Sequence, residues 1–261
     1  MRSMNHQPTI YELTTFLLQF GVKMVSCGSH TARVVKCVRR MGHSFGYEVE
    51  VMLLQKNVSI TLISQTNASV SNTAIMRIPP AHPSFYVVSE LSSLSWNAFD
   101  EGLEFEVIVD QFKKITERKP FSRWFVLLAV ACANGAFAAL FEADNAGIIV
   151  VFVATLLGFF TRQQLTRWKM NPYITVALSS FVASFTAGNA MMQNIGTTPE
   201  VALAVSVLYL IPGVPMINSF IDFLEGHVLS GFSRLISAFL LIGALVFGFF
   251  ITLTILGIDK L

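Results

Sequence analysis

The sequence predicts an α-helical multi-pass membrane protein with five transmembrane helices and an N-terminal cytoplasmic α/β domain. Hydrophobic residues make up 53% of the chain and charged residues 13%, which is about half the charged fraction of an ordinary soluble domain. Of the 34 charged residues, 23 lie within residues 1–123 and 11 are spread over the last 138. The long uncharged runs of the second half cannot all be hidden in one small core. We therefore divide the chain into a cytoplasmic domain, residues 1–119, and a membrane domain, residues 120–261.

Helical periodicity opens and closes the cytoplasmic domain. Apolar residues recur at helical spacing between residues 10 and 44, and Gly28 divides this stretch into two helices. After a proline-rich break, two further amphipathic helices are expected over Phe85–Asp100 and Leu103–Arg118.

Strand patterns occupy the middle of this domain. Glu48–Leu53 alternates apolar and polar residues, Ser59–Ser64 is rich in β-branched residues, and Ala74–Ile78 is expected to be a third strand. Asn57 and the Asn67–Asn72 region are expected to be turns. The domain is therefore predicted to be a small α/β sandwich.

The start of the second helix has two interpretations. His30, Thr31 and Arg33 lie two to five residues after Gly28, and the free N–H groups at a helix start can bind an anion. The alternative is an ordinary capped helix at the surface of the domain.

Five stretches of the second half are long and apolar enough to cross about 30 Å of hydrocarbon. They are Trp124–Phe141, Ala146–Thr161, Tyr173–Met192, Val201–Ile221 and Leu235–Ile258.

Basic residues flank alternate ends of these spans, and such residues favour the cytoplasmic face of a membrane. They precede the first span, follow the second and precede the fifth, whereas the loops after the first and third spans carry only Glu142, Asp144 and Glu200. The pattern predicts a protein of the cell inner membrane with its N-terminus in the cytoplasm and its C-terminus outside.

Several classes of function are disfavoured. A net charge of +2 without a basic stripe argues against nucleic-acid binding. No phosphate loop, zincin helix, nucleophile elbow or Rossmann fingerprint is found, so we expect neither an enzyme nor a cofactor, and no direct use of ATP. Cys27, Cys37 and Cys132 lack metal-ligand spacing and are interpreted as reduced packing residues.

The stretch Leu210–Asn218 is the most informative part of the sequence. Pro212 and Pro215, with Gly213 beside the first, remove backbone donors in the middle of the predicted fourth span and should break the helix there. Transporters use such half-helix ends to hold ions and carboxylates. The donors near Ile217 and Asn218 are therefore candidates for a substrate carboxylate, and the alternative is a kink that only shapes packing.

Asp222 lies four residues after Asn218 and hence on the same helix face. Below the membrane interface it would be a proton carrier or a partner for a substrate ammonium group. In the loop with Glu225 and His227 it would be an ordinary solvated charge, so both interpretations stay open. His227 could titrate near neutral pH or only form a hydrogen bond.

Three further polar residues are predicted at membrane depth or at its edge, namely Asn134, Asn189 and Tyr209. They either line a substrate path or join helices through hydrogen bonds, and the second role is the commoner one for any single residue.

The residues so far resemble the threonine/serine exporter family, and more closely the larger subunit of its split, two-protein form, which is associated with succinate export. The resemblance lies in Gly28–Val34 and, most sharply, in Leu208–Asn218 followed by Asp222 and His227. Fused members of this family carry about ten spans in one chain, and this chain is predicted to have five. The resemblance therefore implies a small membrane partner of about four or five spans, and export driven by the proton gradient.

These observations lead to two hypotheses. The first is a subunit of a proton-coupled secondary exporter for small carboxylates or hydroxy amino acids, with threonine, serine or a succinate-type dicarboxylate as substrate. A zwitterion suits the combination of the half-helix end and Asp222, whereas the resemblance points to succinate. The second is a non-transporting membrane scaffold or sensor whose α/β domain binds a partner or ligand.

Overall fold

The fold was analysed in a computed structural model that describes residues 7–54, 56–80, 83–118 and 121–258. The described residues form ten α-helices, three strands and one short 3-10 turn. In chain order, the elements are α1 Ile10–Ser26, α2 Thr31–Ser44, β1 Tyr47–Leu53, β2 Asn57–Ser64, β3 Ser71–Arg77, α3 Phe85–Asp100, α4 Phe105–Thr116, α5 Arg123–Leu140, α6 Asn145–Arg167, α7 Pro172–Met192, α8 Pro199–Val205, the 3-10 turn Leu208–Leu210, α9 Gly213–Leu224 and α10 Val228–Leu256.

The chain divides into two compact units. The first contains the described part of residues 1–119 together with Val214–Leu235, and the second contains the described part of Pro120–Gly213 and Ile236–Leu261. The predicted boundary near residue 120 is one edge of this division. The sequence composition did not predict that α9 and about the first two turns of α10 belong to the same unit as the N-terminal elements.

The first unit is built on an antiparallel sheet of order β1-β2-β3. The buried faces of α1, α2, α3 and α4 share one core with the inward side chains of β1 and β2. Local signals fix the helix ends: Thr9 and Glu12 form a reciprocal capping box at the start of α1, and Gly28, with a φ of +95°, follows its end.

The three strands were predicted, and the expected turn after Asn67 is present, because the Val70 N–H donates to the Asn67 carbonyl at 2.9 Å. Two asparagines expected in turns lie in strands instead. Asn57, expected in a turn, is the first residue of β2 and pairs with Arg77 of β3. Asn72, at the end of the other expected turn, lies inside β3 and pairs with Leu62. Asparagine favours turns through its side chain, but here the antiparallel ladder determines the conformation.

The second unit contains α5, α6, α7, α8 and the main part of α10. Among the described residues, α5, α6, α7 and α10 are each long and apolar enough to cross a membrane. A fifth span results if Pro199–Leu210 and Gly213–Leu224 are counted together as one interrupted span. The stretch predicted as the fourth span thus contains two helices, α8 and α9, with the 3-10 turn and a break at Ile211 and Pro212 between them.

Two spans are longer than predicted. Helix α6 continues past Thr161 to Arg167, and α10 begins at Val228 rather than at Leu235. Both extensions contain arginine and other polar residues, which end an apolar run in the sequence but do not interrupt a helix.

Small residues allow close packing between α7 and α10. A Cβ atom on Gly248 would collide with the carbonyl of Ala177 and would lie 3.0 Å from the amide nitrogen of Phe181. The Ser180 hydroxyl donates to the Leu245 carbonyl at 2.8 Å, and the Ser184 and Thr252 hydroxyls are 2.6 Å apart. Close backbone approach with hydroxyl bonds across helices is a common way to hold membrane helices together.

We expect Gly248→Ala to destabilise the protein by about 1–3 kcal/mol, because the added methyl group forces α7 and α10 apart. The matched control is Gly243→Ala on the same helix, where a Cβ atom would meet nothing within 4 Å. The control should be neutral or gain up to about 1 kcal/mol, because alanine favours a helix over glycine. Thermal unfolding of the purified protein in lipid nanodiscs measures both, and equal midpoints would contradict this packing.

Candidate functional site

The interruption after α8 results from the backbone chemistry of two prolines. Ile211 is extended, with φ −60° and ψ 128°, as residues before proline prefer. Helix α9 begins at Gly213, so Pro215 occupies its first turn, where its missing N–H breaks no intrahelical bond.

The start of α9 corrects one sequence interpretation. Ile217 and Asn218 were expected to carry free backbone donors, but they lie in the second turn, where N–H groups bond within the helix. The Gly213 N–H already donates to the Ile211 carbonyl at 2.9 Å. Val214 and Met216 are therefore the first-turn donors of α9.

The side chains of Asn218 and Asp222 both contact the Gly28–Thr31 segment, which precedes and starts α2. The Asn218 amide donates to the Gly28 carbonyl at 2.8 Å. The Thr31 N–H donates to Asp222 Oδ1 at 2.8 Å, and the Thr31 hydroxyl donates to Asp222 Oδ2 at 2.9 Å. Two residues singled out for a substrate path thus join α9 to the start of α2 within the first unit.

Arg234 of α10 completes this cluster. Its Nε lies 3.3 Å from Asp222 Oδ2, and its Nη1 donates to the Ser29 carbonyl at 3.1 Å. The Asp222 side chain is completely buried and that of Arg234 is 21% exposed. We call Ser29, Thr31, Asn218, Asp222 and Arg234 the Asp222 cluster.

The Asp222 carboxylate acts as the cap of α2. His30 holds the N-cap position but makes no side-chain cap bond, and Asp222 accepts the first N–H of the helix instead. A carboxylate at this end is stabilised by the positive end of the helix dipole, and Arg234 adds a full positive charge. Both interpretations of the helix start thus meet here: α2 does bind an anion, and the anion is a capping carboxylate of the same chain.

Burial removes one of the two interpretations of Asp222. The residue is not a solvated loop charge, because both carboxylate oxygens are buried and bonded. Nearby, Glu225 does carry a solvated charge and forms an ion pair with Lys36 of α2 at 3.2 Å. His227 is half-buried in the turn between α9 and α10, where its backbone N–H donates to the backbone carbonyl of Asp222 at 2.7 Å.

His30 adds a titratable group beside the cluster. Its Nδ1 is buried and has no hydrogen-bond partner among the described residues. Burial, followed by the positive charge of Arg33, lowers the pKa of His30 below its usual 6.5, although the Asp222 and Glu225 carboxylates act in the opposite direction. Arg234 also lowers the pKa of His30, so the imidazole is neutral at pH 7.

The other three candidate residues lie in the second unit, and the structure does not bring them to one point. The buried Asn134 amide donates to the Thr155 hydroxyl at 2.8 Å and to the Val205 carbonyl at 3.1 Å, which joins α5, α6 and α8. Asn189 donates to the Phe185 carbonyl of its own helix at 2.7 Å. The Tyr209 hydroxyl is buried and unpaired among the described residues.

Sequence reasoning missed the pairing of Thr31 and Arg234 with Asp222. Arg234 was considered as a flanking charge and as a positive feature that a dicarboxylate would need, and Thr31 only as part of a helix start. The signal that could have linked them was already in the resemblance, since Gly28–Val34 and Asp222 belong to the same set of motif residues. Among the described residues, no group of three His, Cys, Asp or Glu could hold a metal ion.

Comparisons with known proteins agree with the sequence resemblance. The model of the ThrE family, described as "Putative threonine/serine exporter", matches residues 15–256. The proteins called "Probable succinate transporter subunit YjjP" from Klebsiella aerogenes and from Escherichia coli K12 are each 27% identical to this chain over 248 residues, which is 94% of this chain and 95% of theirs. No solved structure matches.

We expect Asp222→Asn to destabilise the first unit by about 3–5 kcal/mol, because Arg234 is left half-buried without a counterion. The double variant Asp222→Asn with Arg234→Gln should recover much of this loss, since neither charge remains. Glu225→Gln is the matched control on the same helix, and its exposed pair with Lys36 predicts a loss of about 0–1 kcal/mol. Thermal unfolding in nanodiscs measures all three, and a single variant as stable as the control would rule out a structural role for the cluster.

The lowered pKa of His30 predicts a pH dependence of stability. Neutral His30 suits the folded state, so stability is complete above the unfolded-state pKa of 6.5 and is lost as the pH falls through the lower folded-state pKa. The unfolding temperature should therefore fall as the pH is lowered below 6.5, and His30→Gln should weaken that fall. His43→Gln, at an exposed position of the same unit, is the control; an equal effect in both variants would refute the assignment to His30.

Proposed function

Because the chain belongs to the threonine/serine exporter family, we propose that it is a subunit of a proton-coupled secondary exporter of small carboxylates or hydroxy amino acids. The chain is a membrane transport protein by its family and by its long apolar helices. The finer points, namely the substrate, the coupling ion, the partner and the orientation, form the proposal.

The observation that carries the proposal is the completely buried carboxylate of Asp222 at the end of the interrupted fourth span. Buried ionisable groups in membrane proteins are costly and mark proton or substrate pathways. Ionised Asp222 binds Thr31 and Arg234. Protonated Asp222 no longer attracts Arg234 or the positive end of α2, so a proton arriving there weakens the attachment of α9.

This gives the cluster two states with a physical basis. In the ionised state α9 is held to the start of α2 by the Asp222 bonds and by the Asn218–Gly28 bond. In the protonated state only the neutral hydrogen bonds remain. A proton that changes which state is stable can drive a conformational step in transport, because each state has a different affinity for the proton.

The orientation follows from the charges that flank the helices. Under the positive-inside rule, five spans with α8 and α9 as one interrupted span support a cytoplasmic location for the N-terminal elements and an outside location for the C-terminus. An exporter loads its substrate from the cytoplasmic side of the inner membrane.

A second chain is part of the proposal. Both relatives are named as transporter subunits, and a set of five spans without a matching half does not enclose a central path in the repeat architectures of secondary transporters. We propose a small membrane partner of about four or five spans that completes the path.

The substrate is proposed as a class. The relatives' names favour succinate, and the family description favours threonine and serine. All three carry a carboxylate, so the shared requirement is a cation or a set of N–H donors. Arg234 is already paired with Asp222, and the Asp222 cluster is therefore better suited to carrying the proton than to holding the substrate.

The test is export from cells that lack both subunits and are supplied with this chain and its partner. Wild type should lower the intracellular level of succinate, threonine or serine, and a protonophore should abolish the effect. Asp222→Asn with Arg234→Gln, which lacks the titratable carboxylate, should lose at least about tenfold of the proton-driven rate at an equal amount of protein in the membrane. Glu225→Gln should export as wild type does.

The two parts of the proposal fail separately. If wild type exports none of the three compounds, the proposed transport function is wrong. If the double variant exports as wild type does and still responds to the protonophore, transport stands and Asp222 is not the proton carrier.

A further inference from the structure

A second cation of the membrane helices has surroundings quite unlike those of Arg234. Arg162 lies in α6, one turn before its end at Arg167, and its side chain is half-buried. In the described part of the chain no carboxylate lies within ion-pair distance of Arg162, and no hydrogen bond to its guanidinium is formed. Its neighbour is the Phe159 ring, 5.9 Å from the guanidinium carbon, and the Tyr209 ring packs against that same ring.

The Tyr209 hydroxyl is the second unpaired group of this region. It is buried and has no hydrogen-bond partner among the described residues. Its position depends on Gly158, because a Cβ atom there would collide with the hydroxyl oxygen. The Tyr209 ring packs edge-on against Phe159 at 5.9 Å, so α6 holds the ring from one side and leaves the hydroxyl without an acceptor.

A second unpaired hydroxyl, that of Thr175, lies on α7 at a height similar to that of Arg162 on α6. A Cβ atom on Gly158 would also lie 3.0 Å from the Ser179 carbonyl. Gly158 of α6 and Ser179 of α7 therefore lie at the same height in this antiparallel helix pair. Arg162 and Thr175 each lie four residues nearer the connection between these helices, about 6 Å along the axis. The Thr175 hydroxyl is buried and unpaired among the described residues.

These groups share one chemical property, which is that they can donate hydrogen bonds. A guanidinium has five N–H donors and no acceptor, and each hydroxyl has one donor. Buried donors without partners are rare in folded proteins because each costs free energy. The ring of Phe159 lies near the limit of a useful cation–π distance and satisfies no donor. A planar anion with two acceptor oxygens would satisfy the guanidinium in bidentate fashion and could also accept from the hydroxyl.

We propose that Arg162 and Tyr209 form the subsite that binds the carboxylate of the transported substrate. This inference rests on the proposed function, since it names the residues that recognise the substrate class. The proposal assigns proton transfer and substrate binding to different residues. Asp222 and Arg234 neutralise each other in the first unit, whereas Arg162 in the second unit is available to the carboxylate of a substrate.

The experiment is direct binding to the full chain in lipid nanodiscs, with its partner present, measured with radiolabelled succinate. Serine, threonine and the uncharged analogue succinamide serve as competitors. Arg162→Gln should weaken succinate binding roughly 10- to 100-fold, which is the range for hydrogen bonds to a charged group. Arg162→Lys should fall between this variant and wild type, because lysine keeps the charge but not the bidentate geometry.

One conservative change tests the hydroxyl. Tyr209→Phe removes only the oxygen and should weaken binding roughly 2- to 10-fold. Arg167→Gln is the matched control, because Arg167 is an exposed cation in the last turn of the same helix. If Arg162→Gln does not fold, the Tyr209→Phe variant carries the test.

The expected result is that succinate binding falls in the order wild type, Arg162→Lys, Arg162→Gln, while Arg167→Gln binds as wild type does and succinamide does not compete. Equal binding by wild type, Arg162→Gln and Tyr209→Phe would overturn the subsite. So would a wild-type protein that binds neither succinate nor serine nor threonine. A different result would separate the two proposals. If wild type binds succinate but exports nothing, and the variants lose this binding, the subsite is supported and the proposed transport function is wrong.

Discussion

The burial of one carboxylate determines how the first unit is assembled. Asp222 cannot be taken out of water unless its charge is compensated, and the compensation comes from three places: the backbone and hydroxyl of Thr31, the positive end of α2 and the guanidinium of Arg234. The carboxylate belongs to α9, and the groups that compensate it belong to α2 and α10. The requirement of a single carboxylate therefore brings together elements that lie far apart in the sequence.

Helices α2 and α9 are also connected by a second, exposed ion pair, and the comparison shows how exposure to solvent weakens such an interaction. Lys36 and Glu225 connect α2 to the end of α9 at 3.2 Å, with side chains that are 65% and 35% exposed. Water and salt screen such a pair, and its net contribution to stability is small. Asp222 and Arg234 are hidden from that screening, so their interaction is strong and the loss of either partner is costly. The two ion pairs look alike in a diagram but differ in the solvent around them.

The parts of the fold that were predicted are those with a local signal. Helical and strand periodicity found all the long elements of the first unit, and two prolines beside Gly213 were enough to predict the interruption of the fourth span. The ends of α6 and α10 were missed because arginine and polar residues end an apolar stretch without ending a helix. The partners of Asp222 could not be predicted from spacing, because Thr31 lies 191 residues away. The unpaired state of Tyr209 depends on Gly158 of another helix, which no pattern along the chain reveals.

The long separation between Thr31 and its capping carboxylate has a consequence for biosynthesis. The start of α2 is translated 191 residues before Asp222, which at ribosomal speed is an interval of roughly 10–40 s. During that time the Asp222 carboxylate is not yet available to the Thr31 N–H and hydroxyl. A chain that ends before α9 would contain the three strands and α2 but would lack the carboxylate that caps α2.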